Sequence, residues 1–362
     1  MSEPSGTKRE TLGDDERRNA QLSSIPAFDE DTPLAAQLAL DTRRSITLTG
    51  AVFDRPHQTR VFTVANQKGG VGKTTTTVNV AAALARGGLN VLVIDNDPQG
   101  NASTALGVEH TSGTPSTYHV LLGERTMAEV VQPSTASPNL LCVPASIDLS
   151  GAEIELVLID NREGRLRAAL REYLVHRSAT GLPRLDYVFI DCPPSLGLLT
   201  VNAFVAAAEV FIPIQCEYYA LEGLSQLLNN INLIKAHLNP ALDVSTILLT
   251  MNDARTNLAR EVAQEVRTHF PEQTLRTAIP RSVRISEAPS YGQTVISYDP
   301  TSSGALAYTE AAREVARRGA GAATSTTKSD QSSSNTSTAG SSHSEEHDAQ
   351  AAGSSDQQGT QA

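Results

Sequence analysis

The chain has 362 residues, 40% of them hydrophobic and 4% aromatic, with no tryptophan and a formal net charge of −11. It is long enough for two domains, yet no apolar run reaches membrane-spanning length and the N-terminus lacks the basic-then-apolar layout of a secretory leader, so composition predicts a cytoplasmic protein. The three cysteines, Cys142, Cys192 and Cys216, are odd in number, far apart and set in apolar runs; they read as buried thiols rather than a disulfide framework.

Residues 1–58 are rich in Ser, Thr, Pro, Asp and Arg, and residues 319–362 are almost wholly Gly, Ala, Ser, Thr, Gln and acids. Such compositions cannot bury a core, which predicts a disordered arm and a disordered tail around one folded domain at 59–318. Lys and Arg against Asp and Glu count 7 to 10 in residues 1–58, 21 to 25 in 59–318 and 1 to 5 in 319–362. Most of the negative charge therefore sits in the ends, and it does not exclude nucleic-acid binding, which depends on a local patch. Within the arm, Thr32 as N-cap, Pro33 at the first helical position and Leu34, Leu38 and Arg44 beyond predict a short helix over 33–44. It is either a docking peptide or a transient helix, since helices of this length are marginal alone.

The domain opens on an apolar run, Val61 to Ala65, followed by Gly69-Gly70-Val71-Gly72 and then by Lys73-Thr74 and an alanine-rich helical pattern over 73–86. That is a strand, a glycine-rich loop and a helix N-terminus. Backbone N–H groups of such a loop converge on phosphate oxygens, Lys73 can reach the β and γ phosphates, and Thr74 can ligate Mg²⁺. The general P-loop pattern asks for glycine where this chain has Gln67, but Lys68-Gly69-Gly70-Val71-Gly72-Lys73-Thr74-Thr75 fits the deviant Walker A form throughout.

Further apolar strands are predicted at 89–95, 140–143, 187–191, 210–214, 246–250 and 275–279, alternating with helices near 162–177, 197–208, 219–238, 256–270 and 305–318. Continuous apolar strands alternating with helices argue an α/β fold with a doubly wound, mainly parallel sheet flanked by helices. Ligands of such sheets bind at the carboxyl ends of the strands, where the glycine loop and several acids fall. The strand at 89–95 ends Asp95-Asn96-Asp97-Pro98-Gln99-Gly100. Asp97 is the candidate for orienting the water that attacks a γ-phosphate, with Asp95 nearer the metal; the same residues also suit a capping turn. The strand at 187–191 ends Asp191-Cys192-Pro193-Pro194, in the manner of a Walker B acid that holds Mg²⁺.

With these motifs in order, the chain resembles the ParA/Soj branch of the deviant Walker A ATPases, the MinD/ParA family, over roughly residues 60–317. The likeness extends to Gly151 to Leu156, Ile190 to Gly197, Gln215 to Leu224, Leu249 to Asn257, Ile279-Pro280-Arg281 and Ser286 to Gly292. It implies a P-loop ATPase using ATP and Mg²⁺, slow alone, that dimerises on ATP binding with Lys68 of each subunit reaching the other's nucleotide. The dimer would bind double-stranded DNA without sequence preference, associate with the nucleoid, and be released when a ParB/Spo0J-type partner stimulates hydrolysis, so that chromosomal origins are segregated. The resemblance also assigns Glu217 to the ribose and Asn252 and Pro280 to the adenine. Six arginines, Arg255, Arg260, Arg267, Arg276, Arg281 and Arg284, lie between Asn252 and Glu287 against four acids. By family position Arg255 and Arg284 are the expected DNA contacts, with Arg281 next; the others also suit solvated helix faces and surface ion pairs.

A membrane-binding MinD-like relative would need a C-terminal amphipathic helix, and residues 319–362 contain no Leu, Ile, Val or Phe. A cluster-bridging reductase would need paired cysteines. A relative that positions a protein cargo instead of DNA is the alternative, and the surface around Arg255 and Arg284 discriminates the two.

Overall fold

The computed structural model describes residues 21–23, 33–218, 220–253 and 255–330. The chain divides into two compact units, residues 1–322 and 323–362, and of the second only the end of the last helix, to Asp330, is described. Most of the expected arm before Pro33 and of the expected tail after Asp330 lies outside the described residues.

Seven strands form one sheet: β1 (Arg60–Val64), β2 (Val91–Asp95), β3 (Gln132–Pro133), β4 (Leu140–Val143), β5 (Tyr187–Asp191), β6 (Glu209–Gln215) and β7 (Asp243–Thr250), in the order β3-β4-β2-β5-β1-β6-β7. All pairings are parallel except that of β3 with β4. This is the doubly wound, mainly parallel α/β sheet expected from the sequence. Every residue of β2 and of β5 is buried, as strands covered on both faces require. Alternate residues serve opposite layers. Phe62, Val64, Val93, Tyr187, Phe189 and Phe211 join one core, with the phenyl rings of Phe62 and Phe189 stacked 5.3 Å apart. Leu92, Ile94, Val188 and Ile190 point into another.

Helices connect the strands and cover both faces: α1 (Pro33–Leu48), α2 (Lys73–Arg86), α3 (Asn101–Ala105), α4 (Arg165–Ala179), α5 (Leu198–Ala206), α6 (Ala220–His237), α7 (Asn257–His269), α8 (Val283–Glu287) and α9 (Ser303–Asp330), with further short helical segments, among them Thr117–Leu122 and Leu149–Glu155, between them. Alanines 81–83 and 85 of α2 are buried, and small residues let this helix lie close on the sheet. Ahead of β1, the Arg44 guanidinium forks onto Glu310 of α9, Nε to Oε1 at 2.9 Å and Nη2 to Oε2 at 2.5 Å. Phe53 is buried against Gly87, where a Cβ would meet the ring at 2.5 Å.

The strand expected at 275–279 is not a strand. Leu275 and Ile279 donate their N–H groups to Ile247 and Leu249 of β7, but only isolated bridges, Ile247 to Thr274 and Asn252 to Pro280, form there. Between them the N–H groups of Arg276 and Thr277 turn to the Glu314 carboxylate of α9. A side chain thus takes the donors that a ladder would need. The short β3 went unpredicted; it is an edge strand whose second residue, Pro133, has no N–H to give.

Candidate nucleotide-binding site

The carboxyl end of β1 lies between β5 and β6, and the glycine loop leaves from it. Gly70 and Gly72 have φ of 75° and 89°, a left-handed conformation that costs other residues about 1–2 kcal/mol each. Gly72 is the N-cap of α2 and no side chain caps that end, which leaves the first N–H groups and the positive end of the helix dipole for an anion. Asn66 braces the loop by donating through Nδ2 to the Pro213 carbonyl at 2.9 Å and accepting the Lys68 N–H at 3.0 Å. Thr250, at the end of β7, donates to the Val71 carbonyl at 2.8 Å. The Lys73 ammonium is buried beneath the loop, 3.4 Å from the Lys68 carbonyl, and desolvation lowers its pKa, with Asp191 opposing. Val71 is buried under the loop.

Asp191, at the end of β5, accepts from Thr74 Oγ1 at 2.7 Å and from Thr77 Oγ1 at 3.0 Å. Its carboxyl is fully buried and desolvation pushes its pKa up, reinforced by Asp95 on the neighbouring strand. A group held this way gains most from a cation, since the penalty falls on its charged form. Asp95 is placed differently. Its Oδ2 accepts from Ser103 N at 2.8 Å and Ser103 Oγ at 2.7 Å, and its Oδ1 from Asp97 N at 3.2 Å. Those bonds tie the end of β2 to α3, so Asp95 anchors the turn that carries Asp97. Asp97 is itself nearly buried, and its Oδ1 accepts the Gln99 N–H at 3.0 Å.

At the other side of the loop, Lys68 Nζ donates to Glu217 Oε2 at 2.6 Å, both side chains being partly exposed, and Gln215 Nε2 donates to Glu217 Oε1. Asn252 and Pro280 are bridge partners. Met251, just before, has a φ of 48°, and such strain on a non-glycine residue is held only by surrounding structure. Asn252 Oδ1 is buried and has no hydrogen-bond partner among the described residues. An orphaned acceptor of this kind suits a donor from outside the chain, such as an exocyclic amine. The expected DNA contacts lie beyond it. Arg255 is 89% exposed and forks onto Asp253 at 2.8 and 2.9 Å, which pulls the Asp253 pKa down to about 2. Arg284 pairs with Glu287 at 3.0 Å and Asp299 at 3.5 Å. Arg281 is exposed.

The residues present fit Mg-nucleotide: an uncapped helix end with a buried ammonium for phosphates, a hydroxyl and a carboxylate already in contact for the metal, and an orphaned acceptor for a base. Thr74 and Asp191 would hold Mg²⁺, which supplies neutralisation of phosphate charge. No cluster of three or more His, Cys, Asp or Glu with metal-binding geometry occurs among the described residues. The sequence reading missed Thr77, Ser103 and Thr250. Thr77 could have been found, because three residues after Thr74 puts it on the same helix face; Thr250 and Ser103 reach the site only through tertiary contact.

Comparison with known proteins agrees with this geometry. Residues 59–244 match a family model described as an AAA domain. The chain is 50% identical over 260 residues to the sporulation initiation inhibitor protein Soj of Bacillus subtilis, covering 72% of this chain and 99% of that protein. It is 50% identical over 259 residues to the chromosome partitioning protein ParA of Myxococcus xanthus, covering 72% and 88%. Among solved structures, it resembles cobyrinic acid a,c-diamide synthase from Mycobacterium smegmatis with bound ATP analogue and magnesium, with a TM-score of 0.60 and 37% identity over 72% of this chain and 95% of that one. It also resembles the septum site-determining protein MinD of Pyrococcus horikoshii complexed with Mg-ADP, with a TM-score of 0.56 and 25% identity over 71% and 96%. No helix among the described residues is long and apolar enough to cross a membrane. Its cofactors are ATP and Mg²⁺, and on the strength of a shared sequence half identical across nearly the whole length of Soj, the chain belongs to the ParA/Soj family of deviant Walker A chromosome-partitioning ATPases.

Proposed function

We propose that this protein is an ATP-operated dimer switch that binds DNA nonspecifically and segregates chromosomal origins with a ParB/Spo0J-type partner. ATP lies along the loop from Lys68 to Thr75, with Lys73 on the phosphates, Thr74 and Asp191 on the metal, Glu217 at the ribose, and Asn252 and Pro280 at the adenine. Asp97 orients the attacking water. Asp95 acts one step back, through its hold on the Asp97 turn.

The observation that supports the switch most directly is the position of Lys68. It sits at the mouth of the site, 40% exposed, on Glu217 of its own chain rather than in the phosphate cradle. In the ATP state it leaves Glu217 and stabilises charge on the partner subunit's phosphates, as a cation supplied across an interface does. Hydrolysis alone is slow, and the partner protein accelerates it. The dimer presents Arg255, Arg284 and Arg281 to DNA phosphates and is nucleoid-associated in the cytoplasm. Since Arg255 and Arg284 already hold carboxylates, binding exchanges Asp253, Glu287 and Asp299 for phosphate oxygens.

Binding of a nonspecific duplex is measured with ATP, ADP and no nucleotide, at two salt concentrations, for the wild type and Arg255→Ala/Arg284→Ala. Binding that requires ATP, weakens with salt and is lost in the double variant is the expected result. A wild type that dimerises with ATP but binds DNA in no state removes the partition reading and favours transport of a protein cargo.

A further inference from the structure

Away from the nucleotide site, a cleft of about 860 Å³ lies between α1, the 271–277 segment and α9. Six arginines line it against three glutamates, an excess of three positive charges on a chain whose net charge is −11. Two of the six hold the walls. Arg44 forks onto Glu310 and pins α1 to α9. Arg318 donates to the carbonyls of Glu272, Gln273 and Thr274 and to the Glu314 carboxylate, and Glu314 in turn accepts from Arg276 and Thr277 N–H groups. Glu310 and Glu314 are thereby spent on structure.

The other four, Arg43, Arg276, Arg313 and Arg317, have no carboxylate within ion-pair distance among the described residues. This is the reverse of Arg255 and Arg284, which are both paired. Arg313 and Arg317 are four apart on α9, so they stand on one face of the helix. Arg43 comes from α1, ahead of residue 59 where the family match begins. An acidic chain that gathers arginines from three segments and leaves four unneutralised builds a local positive potential.

We infer that this cleft is a phosphate-binding site that takes the backbone of duplex DNA, with α1 acting to add Arg43 to it. The inference rests on the DNA-binding reading above. Arg43, Arg276 and Arg317 are exposed rather than converging inside an enclosed pocket, which suits an extended polyanion better than a small one, whose sites bury most of the ligand. Guanidinium forks match phosphate oxygens, and each contact releases counterions.

The test compares full-length wild type with Arg43→Gln/Arg313→Gln/Arg317→Gln, loaded with a non-hydrolysable ATP analogue, on a nonspecific duplex across a salt series. Each lost phosphate contact lowers the magnitude of the salt slope by about 0.9, so a slope shallower by roughly 2–3 and an affinity down at least about tenfold at low salt are expected. Basal ATP hydrolysis and melting temperature stay at wild-type values, and Arg43→Lys/Arg313→Lys/Arg317→Lys keeps most of the slope. A glutamine variant that binds as the wild type does overturns the cleft while the DNA reading stands; a wild type that binds DNA in no nucleotide state overturns both. Inorganic tripolyphosphate titrated into the analogue-loaded proteins separates the source: tripolyphosphate binding lost in the glutamine variant with duplex binding unchanged overturns DNA as the ligand.

Discussion

Asp191 carries the sharpest consequence at the scale of single residues. It is buried, its pKa is raised by desolvation, and its partners are two threonine hydroxyls of α2. Without a cation its charged form is poorly compensated, and with one it becomes the natural ligand. Asp191→Asn keeps the size and can still meet both hydroxyls, so it should fold. The expected outcome is loss of the additional thermal stabilisation that Mg²⁺ gives the ATP-analogue complex, with hydrolysis reduced by at least about a hundredfold, equivalent to roughly 2.7 kcal/mol in the barrier. A melting-temperature series with and without MgCl₂ reads it, and an undiminished Mg²⁺ increment would remove Asp191 from the metal. Asp95 and Asp97 look alike in sequence, one residue apart at a strand end, but Asp95 accepts one hydrogen bond from Asp97 N and two from Ser103 of α3, while Asp97 sits in the turn that those bonds hold.

Among the elements, the stretch ahead of β1 is the one whose composition says least about its structure. α1 is held by Arg44 on Glu310, and residues 51–56 run back over the end of α2, where Phe53 donates its N–H to the Gly87 carbonyl at 3.0 Å and Arg55 reaches Asp186 at 2.7 Å. Phe53 is 5% exposed. Phe53→Ala should therefore cost about 3–5 kcal/mol, the range for a buried phenyl ring, read as a lower urea midpoint at unchanged m-value. A change under about 0.5 kcal/mol would mean that this segment contributes nothing to the fold. The 271–280 segment makes the complementary point. Its apolar run reads as a strand, yet Glu314, some forty residues on, takes two of its N–H groups. No window of local sequence contains that competitor.

For the molecule as a whole, the proposed switch would have Lys68 exchange its partner in the single chain, Glu217, for one in the dimer. Lys68→Ala removes both. The loop remains braced by Asn66 and Thr250, so ATP binding should persist within about threefold. The ATP-dependent increase in mass measured by light scattering should disappear, and with it ATP-dependent DNA binding. A variant that still dimerises with ATP would show that Lys68 does not act across the interface.

Sequence alone determined the α/β sheet, the glycine loop, Lys73, Thr74, Asp97 and Asp191 as site candidates, and the family. These are carried by local features: strands buried on both faces must be continuously apolar, and a phosphate loop at a helix end must have glycine at fixed spacings. Tertiary structure decided the rest. It tied Asp95 to Ser103, brought Thr77 onto Asp191 and Thr250 onto the loop, and, among the described residues, left Asn252 Oδ1 without a hydrogen-bond partner and set four arginines without carboxylate partners around one cleft. The physical reason is the same in each case. Whether a polar group is satisfied, neutralised or left free depends on groups far away in the chain, and hydrogen bonding and charge compensation act through space rather than along sequence.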